Sequence, residues 1–300
     1  MVELVDALDS KSSESNLVWV RFPPSVHLYK TMKNRLLPIL LFIAICSQAQ
    51  IQNPYSLSWK TDGAIAAYSA IGLGTFAVVN SHVKPLTATQ ISQLDAQQIN
   101  RFDRNTTQNY KPNIDNLSDY SAAGSCVISV GITGLLTMYA TQDRQSFWDH
   151  ASTLAVMCAE TNMLTVLTTN IIKSSVLRTR PYVYNSSVPL DDKTTIHARK
   201  SFFSSHTAFT AANTFFMAQV VSDYYPHSWA SYSAWGVAAA LPAAIAYMRV
   251  DAGRHFPTDV IAGYAFGTAC GLLVPYLHKT KQTNVSVGMS PKLVSVLIII

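Results

Sequence analysis

Residues 224–278 read YYPHSWASYSAWGVAAALPAAIAYMRVDAGRHFPTDVIAGYAFGTACGLLVPYLH. Two runs without Asp, Glu, Lys or Arg, 224–248 and 260–278, flank one charged knot that begins at Arg249 and ends at Asp259. Each run holds enough apolar residues for a helix of about 17–22 residues, the length that crosses a hydrocarbon layer. Upstream the pattern recurs over roughly 63–83, 119–142, 150–172 (interrupted by Glu160) and 201–222. The runs are rich in Ala, Gly, Ser and Thr, the small residues that let membrane helices approach closely. The expected fold is all-α, a bundle of about six apolar helices embedded in a membrane. Buried helices of a soluble all-α domain fit the same pattern, and the many Thr and Ser, with Glu160 in mid-run, keep that alternative open.

Composition points the same way. Charged residues make up 13% of the 300, about half the usual share. Hydrophobic residues make up 49%, and the mean hydropathy is +0.16. A formal net charge of +5 without a concentrated basic stripe argues against nucleic acid and suits an anionic substrate or surface. The four cysteines, Cys46, Cys126, Cys158 and Cys270, have no metal-binding or redox spacing; Cys46 falls in residues 32–49, and the other three, in apolar runs, read as buried free thiols.

The N-terminal part divides in two. Residues 32–49, MKNRLLPILLFIAICSQA, carry Lys33 and Arg35 before a short apolar run and end on small residues, so they read as a secretory signal peptide starting at Met32. Residues 1–31 are polar and aperiodic. Their Val20-Arg21-Phe22 can be encoded by GTTCGATTC, which resembles the T-loop of a tRNA gene, so this segment is expected to be an artefactual or disordered extension. The functional domain is expected over 50–280. The tail 281–300 alternates in part, at Val285, Val287 and Met289, and reads as a strand or an ordered apolar tail.

Three segments at the ends of apolar runs carry the chemistry. They are Lys173-Ser-Ser-Val-Leu-Arg-Thr-Arg180-Pro181, Ser201-Phe-Phe-Ser204-Ser205-His206-Thr207 and Arg249-Val-Asp-Ala-Gly-Arg-His255-Phe-Pro-Thr-Asp259. Lys173, Arg180 and Arg249 are cations beside apolar segments, where an unpaired charge is costly, so an anion is expected among them. The planar fork of Arg suits phosphate oxygens and Lys supplies a point charge. Ser204 offers a hydroxyl, and Ser205 and His206 open a helix whose free N–H groups favour an anion. Asp259, four residues after His255, is within reach of its ring on one helical turn. A carboxylate on one ring nitrogen leaves the other free to attack.

These segments resemble the signature of the type 2 phosphatidic acid phosphatase (PAP2) superfamily, K-x6-R-P, then P-S-G-H, then S-R-x5-H-x3-D. That superfamily also takes in soluble bacterial acid phosphatases and vanadium haloperoxidases. The first segment matches in full. The second has Phe203 for Pro and Ser205 for Gly, and the third has Met248 for Ser. The resemblance implies a phosphatase acting on phosphate monoesters or pyrophosphates, of lipids above all, through a phosphohistidine on His255. Asp259 would orient that ring. His206 would protonate the leaving oxygen and then activate water. Lys173, Arg180, Ser204, Ser205 and Arg249 would hold the phosphoryl oxygens. No metal or other cofactor is implied, and vanadate is expected to bind as a phosphate mimic. Serine at 205 would be strained if its backbone needed a positive φ.

Alternatives stay open: a nonspecific periplasmic acid phosphatase, a vanadium-dependent haloperoxidase, or an inactive membrane protein that binds phosphate groups. The partners expected are a phosphorylated lipid or small phosphate ester and a membrane. Arg178, Arg199, Lys200 and Arg254 are expected to face solvent or headgroups. Asp103 and Arg104 read as a loop-structuring pair, and His197, His227 and His278 as surface residues. Glu160 reads equally as a functional carboxylate or a helix-packing one. Trp229, Tyr232 and Trp235 are expected at the membrane interface. Helix parity puts all three segments at one end of the bundle. The expected location is a bacterial-type cell envelope, in the inner membrane with the site facing the periplasm, a soluble periplasmic protein being the other reading.

Overall fold

The computed structural model describes residues 3–4, 20–21, 52–141, 143–280, 284–290 and 293–299. Residues 51–279 form one compact unit. Its six long helices are α1 (Trp59–Ser81), α2 (Pro112–Ala140), α3 (Arg144–Val176), α4 (Ser205–Tyr224), α5 (Trp229–Asp251) and α6 (Pro257–His278). They correspond one for one to the uncharged runs, but most begin or end beyond them. The added turns carry charges: α2 takes in Asp115, one turn before the Asp119 that opens its run, α3 takes in Lys173, and α5 takes in Arg249. Asp115 lies in the first turn of its helix and Lys173 and Arg249 in the last turns of theirs, ends the helix dipole favours for those signs.

Among the described residues, five helical segments, including all the long helices except α4, are long and apolar enough to cross a membrane. The chain is accordingly a membrane protein. The exception has a packing reason. The helix α4 touches α2, α3, α5 and α6, and 13 of its 20 residues are buried, against 3 of 23 in α1. A helix whose surroundings are other helices has no need of an apolar surface.

The Thr and Ser content is reconciled with that setting by local bonding. Thr161, Thr165, Thr169, Thr133 and Thr214 each donate to the carbonyl four residues back, so their hydroxyls are satisfied inside their own helices. Asn162 and Asn213 exchange amide hydrogen bonds of 3.3 and 2.9 Å between α3 and α4.

The closest helix contact sets the site. Gly263, Gly267 and Gly271, one per turn of α6, lie against the backbone of Ser204, Ala208 and Ala212 of α4. A methyl group at Gly267 would come within 2.0 Å of the Ala208 carbonyl oxygen, which is backbone and cannot turn aside. Gly267→Ala is therefore expected to cost about 3 kcal/mol or more, at the upper end of overpacking effects. It should lower the detergent melting temperature by several degrees, whereas Gly236→Ala, in open space on α5, should leave it unchanged. An equal, small effect at both positions would refute the close contact.

At the site end, the connections 82–111 and 178–204 fold into short helical turns with an apolar cluster of their own, built on Leu86, Tyr182, Val183, Val188 and Ala198. Gly253, at φ +73°, lets the 252–256 turn lie against them, since a Cβ there would overlap the Asn109 carbonyl. Cys126, Cys158 and Cys270 are free thiols.

Residues 284–290 and 293–299 pair as antiparallel strands, so the alternation of the tail reads as strand. Glu3–Leu4 and Val20–Arg21 also pair. The rest of 1–51, with the signal segment 32–49 and Cys46, lies outside the described residues.

Candidate active site

The three segments do come together, at the end of the bundle where α3 stops and α4 and α6 start. The α3 helix is ended by Leu177, in the left-handed region at φ 52°, which turns the chain so that Arg178 and Arg180 follow Lys173 onto the site. Ser204 caps α4, its hydroxyl accepting from Thr207 N–H at 3.4 Å and Thr207 Oγ1 at 3.0 Å, and its own N–H donates to the Asp259 carbonyl at 3.0 Å. Ser205 follows without a positive φ, so the serine that stands for glycine is unstrained. Pro257 occupies the first turn of α6, and Asp259 accepts from the Phe256 N–H at 2.9 Å, closing that turn.

The acidic partners come from elsewhere. Arg249 Nη1 donates to Asp115 Oδ1 (2.6 Å), Ser118 Oγ (2.8 Å) and Asp119 Oδ1 (3.0 Å), all on α2. Asp119 Oδ1 also lies 2.8 Å from His206 Nε2, while His206 Nδ1 is buried with no hydrogen-bond partner. Arg254 pairs with Asp115 Oδ2 at 2.6 Å and covers the Tyr182 ring at 4.9 Å. Arg178 joins Asp259 Oδ1 at 2.5 Å to Asp103 Oδ2 at 2.7 Å and sits 4.2 Å over the Phe256 ring. Arg178 and Arg254 thus depart from the solvated role expected of them, because the site carries carboxylates that draw them in.

Lys173 and Arg180 differ. Both are at least nine-tenths buried, and among the described residues neither has a carboxylate partner. Their side chains reach only the Lys200 carbonyl, at 3.3 and 3.4 Å, and Arg180 Nε has no partner. His255 lies beside them, fully buried, with neither ring nitrogen hydrogen-bonded. Asp259 Oδ2 is 3.7 Å from His255 Nδ1, just beyond bonding reach, because that oxygen is held by Ser201 Oγ at 2.5 Å and by Phe256 N–H. Burial first, and then the charges of Lys173, Arg180 and Arg249, push the His255 ring well below the usual histidine range. It is a neutral imidazole among cations, the form required of a nucleophile.

The sequence segment that contains these groups, residues 153–283, matches the family model described as the PAP2 superfamily. This segment is a PAP2 superfamily sequence. The match spans Lys173, Arg180, Ser204, Ser205, His206, Arg249, His255 and Asp259, and leaves out α1 and α2. Among solved structures, a transmembrane PAP2-type phosphatidylglycerolphosphate phosphatase from Bacillus subtilis aligns at 18% identity with a TM-score of 0.43, over 73% of this chain and 96% of that one. LpxE from Aquifex aeolicus aligns at 22% identity with a TM-score of 0.36, over 57% and 90%. No curated protein matches the chain.

Around the PAP2 segment, α2 adds what the sequence reading missed: Asp115 and Asp119, a carboxylate pair at i, i+4 opening an apolar helix. That spacing was the available signal, since paired carboxylates at a helix start invite cations from a neighbour. Arg178 and Ser201 were missed because their roles depend on Asp259 across the fold. Asp103 and Arg104 do structure their loop, though not as a pair. Asp103 is fully buried and accepts from Asn100, Thr258 and Arg178, while Arg104 binds the Gln97 and Ile99 carbonyls.

The site opens sideways. A cavity of about 490 Å³ lies beside Asp119 and His206 between α2 and α3, with Ser205 and Phe209 of α4 as its floor. A second, of about 360 Å³, takes up the same three helices further along, from Val130 past Leu154 to Phe147. The second is lined mostly by apolar side chains, and in the first polar groups such as Asp119, Asn170 and His206 alternate with apolar ones such as Val127, Val166 and Phe209.

Proposed function

We propose that this chain is a membrane phosphatase that hydrolyses phosphate monoesters or pyrophosphates of lipids through a phosphohistidine on His255, without a metal ion. The observation that carries this reading is the buried, carboxylate-free pair Lys173 and Arg180 beside a neutral His255 with both nitrogens unbonded. Two cations without counter-charge in a desolvated pocket call for an anion, and a phosphoryl group supplies oxygens for Lys173, Arg180, Arg249, Ser204 and the N–H of Ser205.

The residues then divide the work. His255 Nδ1 faces Asp259, which leaves Nε2 to attack phosphorus. As the P–N bond forms and the P–O ester bond breaks, His206, doubly protonated while the anion is bound and with its Nε2–H donated to Asp119, gives its Nδ1 proton to the leaving oxygen. Water then attacks the phosphohistidine, losing its proton to His206, and inorganic phosphate leaves with His255 restored. The fixed cations stabilise the equatorial oxygens throughout, the role metal ions take elsewhere.

The two cavities between α2 and α3 support a lipid as the substrate, because the first starts at His206, where the leaving group departs, and the second, mostly apolar, follows along the same helices. The test is phosphate release in detergent with EDTA present, from phosphatidic acid, a polyprenyl pyrophosphate and p-nitrophenyl phosphate, with vanadate as inhibitor. Preference for a lipid with no loss in EDTA is expected. Release that needs an added metal would overturn the reading, and preference for the soluble ester would remove the lipid.

We place the site on the outer face of a bacterial-type inner membrane. The α1 helix runs from the His278 end to the active-site end, where Asn80 meets Ser174. If α1 crosses, an outward-facing site requires residue 52 to start on the cytoplasmic side, and a cleaved signal peptide over 32–49 would put it on the other. Ser187→Cys, on the site-end connection, should react with an impermeant maleimide in intact cells. Protection would place the site inside and restore the signal peptide.

A further inference from the structure

At the end of the bundle away from the active site, three helices bring together groups that the phosphatase reading does not use. Asp62 lies in the first turn of α1, Glu160 midway along α3 and His278 in the last turn of α6. The ligand atoms all lie within 4.8 Å of one another. His278 Nε2 is 2.8 Å from Asp62 Oδ1 and 3.3 Å from Glu160 Oε2. His278 was expected at the surface. It is 2% exposed instead, its ring packed inside the helix ends.

The hydrogen bonding of the ring limits what can sit there. His278 Nδ1 is 2.8 Å from the Val274 carbonyl oxygen, an acceptor only, so Nδ1 carries the hydrogen. In the neutral ring Nε2 then presents a lone pair towards two carboxylates. Three acceptors facing one point repel unless a proton or a metal ion lies between them. Glu160 is about nine-tenths buried, and its Oε2, aimed at the cluster, receives no hydrogen bond. A histidine whose second nitrogen donates to a backbone carbonyl is also the arrangement that orients a metal ligand.

We propose that Asp62, Glu160 and His278 bind a divalent transition-metal ion that pins α1, α3 and α6 together and takes no part in phosphate chemistry. One imidazole with two carboxylates suits Zn²⁺, whereas Mg²⁺ and Ca²⁺ take oxygen ligands. Bonds of about 2.0–2.2 Å in tetrahedral array separate ligand atoms by about 3.3–3.6 Å, so the 2.8 Å contact must open by about 0.5–0.8 Å, within reach of small side-chain rotations. Asp62, whose side chain is 25% exposed, gives the ion a way in.

The test uses the full chain in detergent. After incubation with zinc and gel filtration, wild type should retain about one zinc per chain and Glu160→Gln and His278→Gln far less. Saturating zinc should raise the melting temperature of wild type by roughly 5 °C, the scale expected of a ligand well above its Kd. Cobalt offers a readout without variants, since bound Co²⁺ of low coordination number gives intense visible bands. EDTA should reverse the melting shift and leave phosphate release unchanged. Wild type that retains no zinc and gives no cobalt bands overturns the proposal, and leaves His278 as an imidazolium shared by two carboxylates. Zinc retained equally by both variants also overturns it, and phosphate release lost in EDTA overturns the separation from catalysis.

Discussion

Replacing His255 with alanine is expected to lower metal-independent phosphate release by more than about 10⁴-fold, the scale on which loss of a covalent nucleophile acts. The loss should fall on kcat rather than KM, because Lys173, Arg180 and Arg249 still hold the phosphoryl group. Turnover with a labelled substrate, quenched in alkaline detergent because the P–N bond of phosphohistidine is acid-labile, should trap phosphoenzyme in wild type and none in the variant. Activity within tenfold of wild type would mean that the nucleophile is elsewhere. A second consequence concerns stability. The folded His255 ring resists protonation, chiefly because it is buried and then because of the surrounding cations. The unfolded ring takes its proton near pH 6.5, so the unfolded state gains protons first and stability falls as the pH drops below that value. The slope is about 1.4 kcal/mol per pH unit until the folded ring titrates too. His255→Ala should flatten the dependence of melting temperature on pH between 6.5 and 5, and an unchanged slope would assign the acid sensitivity to other groups.

Arg178→Ala should be among the most destabilising single changes at the site, though the residue takes no direct part in the proposed chemistry. It leaves Asp103 and Asp259, whose side chains are wholly buried, without their shared cation. Breaking a buried pair by removing one partner costs about 3–5 kcal/mol. Arg178 keeps a quarter of its side chain exposed, so the lower end is expected. Arg178→Lys should recover part of the loss by keeping the charge but not the two-armed reach between carboxylates. Thermal unfolding in detergent reads both. A change under about 0.5 kcal/mol, the range of ordinary surface substitutions, would return Arg178 to the solvent-facing role its sequence context suggested.

The six helices were legible because absence of charge over some twenty residues is a one-dimensional property, and each uncharged run became a helix. Their ends were not, because Asp115, Asp119, Lys173 and Arg249 are charged residues that helices retain once opposite charges meet them in space. The same distinction divides the site. Lys173, Arg180, Ser204, His206, Arg249, His255 and Asp259 stood out through fixed local spacing and order. Asp103 and Arg178 read as an ordinary loop pair member and an ordinary surface cation, since nothing nearby in sequence announces that both converge on α6. His278 shows the converse error: one histidine at the end of an apolar run looks solvent-facing until α1 and α3 close over it.

The buried position of α4 has a consequence for how the chain is made. A segment entering a membrane one helix at a time must be apolar enough to leave water by itself, and α4, with its Thr, Asn and Ser flanks, falls short of its neighbours in this respect. It precedes α5 and α6 in synthesis, yet depends on both for its surroundings. Its stable insertion therefore waits until α5 and α6 emerge, and His206 at its head is brought to His255 only when the last helix docks. The bundle would acquire its complete site in the final step of assembly, so a chain cut short before α6 carries His255 but lacks Asp259 and the helix against which α4 packs.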